Sequence, residues 1–151
     1  MVMMMNKTIS IRDIGPIIFE ELNKGNNVKL TVSGNSMYPF FIDKKTVVEI
    51  RSSKNGYKKH DVLFYINKNG DYILHRLLIQ KNDYLITRGD ALLHKEKIDK
   101  DSIFGVVECY FNGNKRVFIR NKFHRFKFFL WESLFIIRKL LIKTLSKIKK
   151  V

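Results

Sequence analysis

A single cysteine, Cys109, stands in 151 residues, so an internal disulfide framework and a CxxC-type metal site are both excluded, and a reducing compartment is permitted. Long apolar runs are missing too. No stretch approaches the ~18 consecutive apolar residues of a membrane-spanning helix. The opening Met1-Val2-Met3-Met4-Met5 lacks a preceding basic region and is shorter than the roughly 7 to 15 residues of a signal-peptide core, so no targeting segment is expected. Acidic residues are scarce in one region only. Residues 1–114 hold 17 Lys+Arg and 13 Asp+Glu, whereas residues 115–151 hold 12 and 1. A fold that binds nucleic acid through its body spreads positive charge over the folded surface, so confining the excess to the tail argues against a polyanion-binding body. His60, His94 and His124 share no metal-ligand spacing and read as surface residues. Cys109, amid Val106, Val107 and Tyr110, reads as a buried strand residue. Neither a metal nor an organic cofactor is expected.

What is present suits one globular domain, with 45% hydrophobic and 28% charged residues. Ser10 precedes apolar positions Ile11, Ile14, Ile17, Ile18 and Leu22, with Asp13 in the first turn, which predicts an amphipathic helix over about 10–24. Gly25-Asn26-Asn27 stops it, and from Val28 the pattern alternates with period 2. Runs at 46–50, 60–66, 72–79, 84–87, 102–111 and 116–120 are rich in Val, Ile, Tyr and Phe. Turn-forming clusters such as Asn67-Lys68-Asn69-Gly70 and Asn112-Gly113-Asn114 separate them. Residues 28–120 therefore predict a mainly β, antiparallel core within a domain spanning 1–122. The remainder, 123–151, predicts a basic amphipathic helical tail, with one helix of about 24 residues, ~36 Å long. On its polar side fall Arg125, Glu132, Lys139 and Lys143; Phe129, Leu134, Ile137 and Leu141 lie away from them, and Lys127 and Arg138 violate the pattern.

The segment that carries chemistry is Val32-Ser33-Gly34-Asn35-Ser36-Met37-Tyr38-Pro39-Phe40. Gly34 removes side-chain bulk two residues before Ser36, and Pro39 stiffens the turn after it, a setting that can hold a serine hydroxyl rigidly. A serine is not nucleophilic at neutral pH without a base. His75, on the strand Tyr72-Ile73-Leu74-His75-Arg76-Leu77-Leu78, is the best candidate, and an acid to fix its tautomer can come from Arg88-Gly89-Asp90.

Gly34-Asn35-Ser36-Met37-Tyr38-Pro39 resembles the nucleophile box, Gly-x-Ser-Met-x-Pro, of the type I signal peptidase and LexA-like serine peptidase superfamily. Asp61-Val62-Leu63 resembles its Asp-Val strand, His75-Arg76 its base box and Arg88-Gly89-Asp90-Ala91 its Gly-Asp box, all in family order across roughly 28–110. The lead-in is similar to small members without an N-terminal membrane anchor. The resemblance implies a signal-peptidase/LexA-like β fold and a serine endopeptidase acting on a peptide or preprotein precursor. In it Ser36 is the nucleophile, and His75 fills the base position as in the His-using branch. Asp90 either orients that base or structures the site, and the Ser36 backbone N–H meets the oxyanion, with Gly34, Met37 and Pro39 shaping the loop. Glu96 stands where a further supporting acid is expected. Lys44-Lys45 and His60 replace residues of Gly-Asp turns. A catalytically inactive peptide-binding or regulatory module built on the same body is the alternative implied by those altered turns.

Three partners suit the tail. A basic helix carrying Trp131 and many Phe residues can lie on an anionic membrane through Arg125, Lys127, Trp131, Lys139, Lys143 and Lys147. It can also cover the β domain, or bind nucleic acid through its cations alone. Docking within the chain does not explain 12 cations against one anion, which favours the membrane. The expectation is a peripheral enzyme at the cytoplasmic face of a membrane.

Overall fold

The computed structural model describes residues 11–140, and the chain divides between Ile119 and Arg120 into two compact units. In the first, helix α1 (Ile11–Asn23) ends where Gly25 adopts φ 86°. There the Asn26 amide donates to Glu21 O at 3.0 Å and that of Gly25 to Leu22 O at 3.1 Å, a left-handed cap that only glycine adopts without strain. Eight strands follow: β1 (Val28–Thr31), β2 (Val47–Ser52), β3 (Val62–Ile66), β4 (Tyr72–Gln80), β5 (Leu85–Arg88), β6 (Glu96–Ile98), β7 (Ile103–Asn112) and β8 (Lys115–Phe118). They form one antiparallel sheet in the order β1-β2-β7-β3-β4-β5-β6, with β8 paired to β7. The protein is thus mainly antiparallel β with a few short helices, as the alternation predicts. Strand β6 was not foreseen, because two of its three residues, Glu96 and Lys97, are charged.

Strand β3 lies between β7 and β4, and Val62, Leu63, Phe64 and Tyr65 are all buried. A strand covered on both faces loses alternation and reads as a continuous apolar run. Leu63, Tyr65, Leu77, Leu85, Ile98, Ile103 and Val106 form a core cluster. Helix α1 is seated through glycine. A Cβ on Gly105 would lie 2.4 Å from Ile50 Cγ2 and 3.1 Å from Leu22 Cδ1, and one on Gly15 would run into Tyr72. Leu22 is almost wholly buried, which stabilises the fold by roughly 1.5–3 kcal/mol.

The register of β3 against β4 pairs Leu63 with His75 and Val62 with Arg76. Because consecutive strand residues face opposite sides, His75 and Arg76 serve two different surroundings.

In the second unit, helix α2 (Lys122–Ser133) starts at Asn121, whose side chain accepts from the Phe123 amide, a standard N-cap. The single long helix expected over 123–151 is interrupted: Leu134 is a turn residue with ψ −2°, and helical backbone resumes at 135–140. The Ser133 hydroxyl donates to Phe129 O at 2.8 Å, a back-bond that competes for a helical carbonyl. Among the described residues no helix is long and apolar enough to cross a membrane. Lys143 and Lys147 lie outside the described residues, as does the rest of that expected helix.

Candidate active site

Ser36 sits in a tight loop between β1 and β2. Met37, Phe40 and Phe41 are its buried anchors. Amides of Phe40 and Phe41 both donate to Met37 O, at 3.1 and 3.0 Å, so the chain coils directly after the serine. Gly34 has φ 93°, and its amide donates to Asp43 Oδ1 at 2.7 Å. That bond closes the loop on itself and occupies the Gly34 N–H, whereas the Ser36 amide has no hydrogen-bond partner among the described residues. Among the described residues Lys44 and His60 are the non-glycine positions with positive φ, 55° and 75°, a conformation that costs an L-residue roughly 1–2 kcal/mol.

The loop is docked through its backbone onto the turn after β5. The Ala91 amide donates to Ser36 O at 2.9 Å, and a Cβ on Gly89 would stand 2.5 Å from that same oxygen. Gly89 is therefore needed for close approach, a role its sequence context did not reveal. Next to it, Asp90 is buried, and of the two roles the resemblance implies its contacts fit the structuring one rather than a direct hold on His75. Both its oxygens are taken by Arg76: Nε donates to Oδ1 at 2.8 Å and Nη2 to Oδ2 at 2.7 Å. The remaining Arg76 nitrogen, Nη1, donates to His60 O at 2.9 Å, and the guanidinium carbon lies 5.4 Å from the Phe40 ring centroid. Fork-to-fork geometry satisfies a buried carboxylate better than a single imidazole N–H can, and the parity of β4 turns Arg76, not His75, toward it.

His75 lies on the core-cluster side and is 7% exposed. Its Nδ1 is 3.2 Å from Tyr65 Oη and 3.8 Å from Glu96 Oε2. Tyr65 Oη also donates to Glu96 Oε2 at 2.5 Å and lies 3.0 Å from Thr87 Oγ1. Cross-strand register aligns two of these partners, Thr87 with Glu96. Burial is the main cause that raises the Tyr65 pKa; the Glu96 hydrogen bond adds to it and the Thr87 bond opposes it. The phenol is thus neutral and has one proton to give. Burial likewise pushes the His75 pKa down from 6.5 to about 4, outweighing the attraction of Asp90, and His94 adds like-charge repulsion. The imidazole is neutral at pH 7, the form a general base requires. Nε2 has no hydrogen-bond partner among the described residues and keeps contact with solvent. No hydrogen bond joins it to the half-buried Ser36.

Ser36 and His75 are thus linked through a short path: serine loop, Gly89–Ala91 turn, Asp90, Arg76, and the peptide bond to His75. Tyr65, Thr87 and Asp43 were not singled out by sequence, and Arg76 entered only as the neighbour of His75 in the base box. A buried Arg beside a His was the one available signal, since a buried guanidinium demands a carboxylate. Glu96 also lines, with Ile66, Ile98 and Phe104, a hollow of about 320 Å³. Among the described residues no group of His, Cys, Asp and Glu could hold a metal ion. Cys109 is free and buried; of the remaining histidines His94 is exposed and His60 half-buried, but His124, read as a surface residue, is buried. In the second unit Arg125, Lys127 and Lys139 are exposed, and Trp131 is half-buried with Arg138 4.0 Å from its ring centroid. No protein-family model matches the chain, and no curated protein matches it in sequence.

Proposed function

We propose that the protein is a serine endopeptidase of the signal-peptidase-like type that cuts a peptide or preprotein precursor. The observation that carries this reading is the state of His75: neutral, tied at Nδ1 and open at Nε2, on the strand residue next to the one whose ion pair anchors the turn under Ser36. Ser36 Oγ attacks the scissile carbonyl while its proton passes to His75 Nε2. The tetrahedral oxyanion meets the unpartnered Ser36 N–H; one such donor is worth roughly 3–4 kcal/mol in related chemistry. The imidazolium then returns the proton to the leaving amine, and an acyl-enzyme remains. Water, deprotonated by the same nitrogen, releases the acid and restores Ser36. Hydrogen bonds between catalytic groups are commonly long or poorly aligned before substrate binds, so the missing Ser36–His75 hydrogen bond is compatible with a resting enzyme.

The test is a fluorophosphonate active-site probe on wild type, Ser36→Ala and His75→Ala. The enzyme reading expects an adduct on wild type alone; equal labelling of all three contradicts it. The missing Ser36–His75 hydrogen bond is also what favours the second reading, a catalytically silent peptide-binding or regulatory module, for which an unlabelled wild type that still binds peptide is the expected result.

The tail is proposed to hold the protein on an anionic membrane surface. Supporting this are exposed Phe123, Phe126, Phe129, Leu130, Ile136 and Ile137 beside exposed cations, each cation worth about 1 kcal/mol at an anionic leaflet. The chain has one tryptophan, Trp131, so its emission reports the event. A blue shift of the full-length protein with phosphatidylserine vesicles but not with neutral ones is expected; an equal response to both contradicts the proposal.

A further inference from the structure

We propose that Tyr65 is a positioning residue that relays the hold of Glu96 onto His75, so that the base is oriented by a carboxylate acting through a phenol rather than by direct contact. This rests on the serine-peptidase reading and names the parts that orient its base.

The assignment follows from counting protons. Tyr65 Oη has three neighbours: Glu96 Oε2 at 2.5 Å, Thr87 Oγ1 at 3.0 Å and His75 Nδ1 at 3.2 Å. A carboxylate can only accept, so the shortest contact takes the single phenolic proton. Oη is then an acceptor toward its other two neighbours, and its two lone pairs suffice for them. Thr87 donates its hydroxyl proton. His75 must therefore carry its proton on Nδ1 and donate it, which leaves the lone pair of a neutral imidazole on Nε2, the nitrogen that keeps contact with solvent. That is the tautomer a serine-activating base needs. Direct contact does not produce it, since Glu96 stands 3.8 Å from Nδ1, beyond hydrogen-bond length. Nor does Asp90, whose two oxygens are engaged by Arg76. The rigidity comes from the sheet. Tyr65 and Thr87 are fully buried, and Thr87 and Glu96 are cross-strand partners, so the phenol cannot swing away without emptying core volume. Glu96 Oε2 stands 3.8 Å from Nδ1, near the nitrogen that keeps its proton throughout acylation.

The experiment reads the tautomer directly, apart from activity. Imidazole nitrogen shifts are recorded by long-range ¹H–¹⁵N correlation on histidine-labelled full-length protein, as wild type, Tyr65→Phe and Glu96→Gln, with His75→Gln to assign the signal. Wild type is expected to show a protonated Nδ1 and an unprotonated Nε2. Tyr65→Phe moves the population toward the Nε2–H form and lowers kcat about 10²-fold with little change in KM, the size of a typical acid–base contribution. Glu96→Gln retains an acceptor for the phenol, so the tautomer stays. An Nε2–H wild type, or a Tyr65→Phe spectrum identical to wild type in a folded protein, overturns the relay. Normal tautomers with no cleavage in any variant keep the relay and reject the peptidase reading instead.

Discussion

Two neighbours on one strand, Arg76 and His75, show how the same sheet treats its two faces. Arg76 is 1% exposed and every guanidinium nitrogen is engaged; it is an ionic rivet between β4 and the turn that carries the serine loop. His75, one residue away and on the opposite face, is held at one nitrogen and left open at the other. Each face has its own carboxylate, Asp90 for the first and Glu96 for the second. The saturated set of hydrogen bonds makes structure, and the open imidazole nitrogen is the feature on which the proposed chemistry rests.

The comparison breaks first at Asp90. Asp90→Asn leaves a buried guanidinium without its counter-charge, and breaking one partner of such a pair costs roughly 3–5 kcal/mol. Chemical denaturation should show this loss, whereas Glu96→Gln, half-exposed and still hydrogen-bonding, should shift stability by only about 1 kcal/mol. If the two substitutions cost the same, the division between the faces is wrong.

The second break uses pH. The native His75 pKa, about 4, lies below the 6.5 of a free imidazole. Between those values the unfolded chain binds a proton that the native chain refuses, so unfolding becomes easier as pH falls. Stability is therefore full above pH 6.5 and declines toward pH 4, by about 3 kcal/mol at the limit. His75→Gln should remove that part of the slope while leaving the carboxylate contribution; urea midpoints measured across this pH range check it, and parallel curves contradict the burial of a neutral imidazole.

Smaller effects follow at glycine and its substitutes. Gly89→Ala forces a methyl to within 2.5 Å of Ser36 O, an overpacking cost of typically 1–3 kcal/mol. Because it pushes on the serine loop, it should also lower kcat. Lys44→Gly and His60→Gly relieve positive φ and should each gain up to about 1 kcal/mol, visible as raised urea midpoints.

Strand positions and turns were legible because period-2 alternation and Asn-Gly clusters are local signals. Contacts were not. Asp90 is legible as the acid of a Gly-Asp turn, yet whether it meets His75 or Arg76 depends on strand parity and register, which no spacing encodes. Tyr65 stands in Val-Leu-Phe-Tyr-Ile, a run buried on both faces, so it reads as one more hydrophobe and its hydroxyl carries no mark of function. Strand β6 is defined by its pairing with β5 rather than by its own composition. The turn at Leu134 carries no signal in composition, because the back-bond of Ser133 to Phe129 O is visible only in three dimensions.

The central claim, that Ser36 and His75 act together on a peptide bond, is tested most directly by incubating the full-length protein with a diverse peptide library and identifying new termini by mass spectrometry. The account predicts cleavage by wild type, with cuts sharing a common side-chain preference, and none by Ser36→Ala or His75→Gln. Cleavage that survives either substitution, or a folded wild type that cuts nothing in the library, contradicts it.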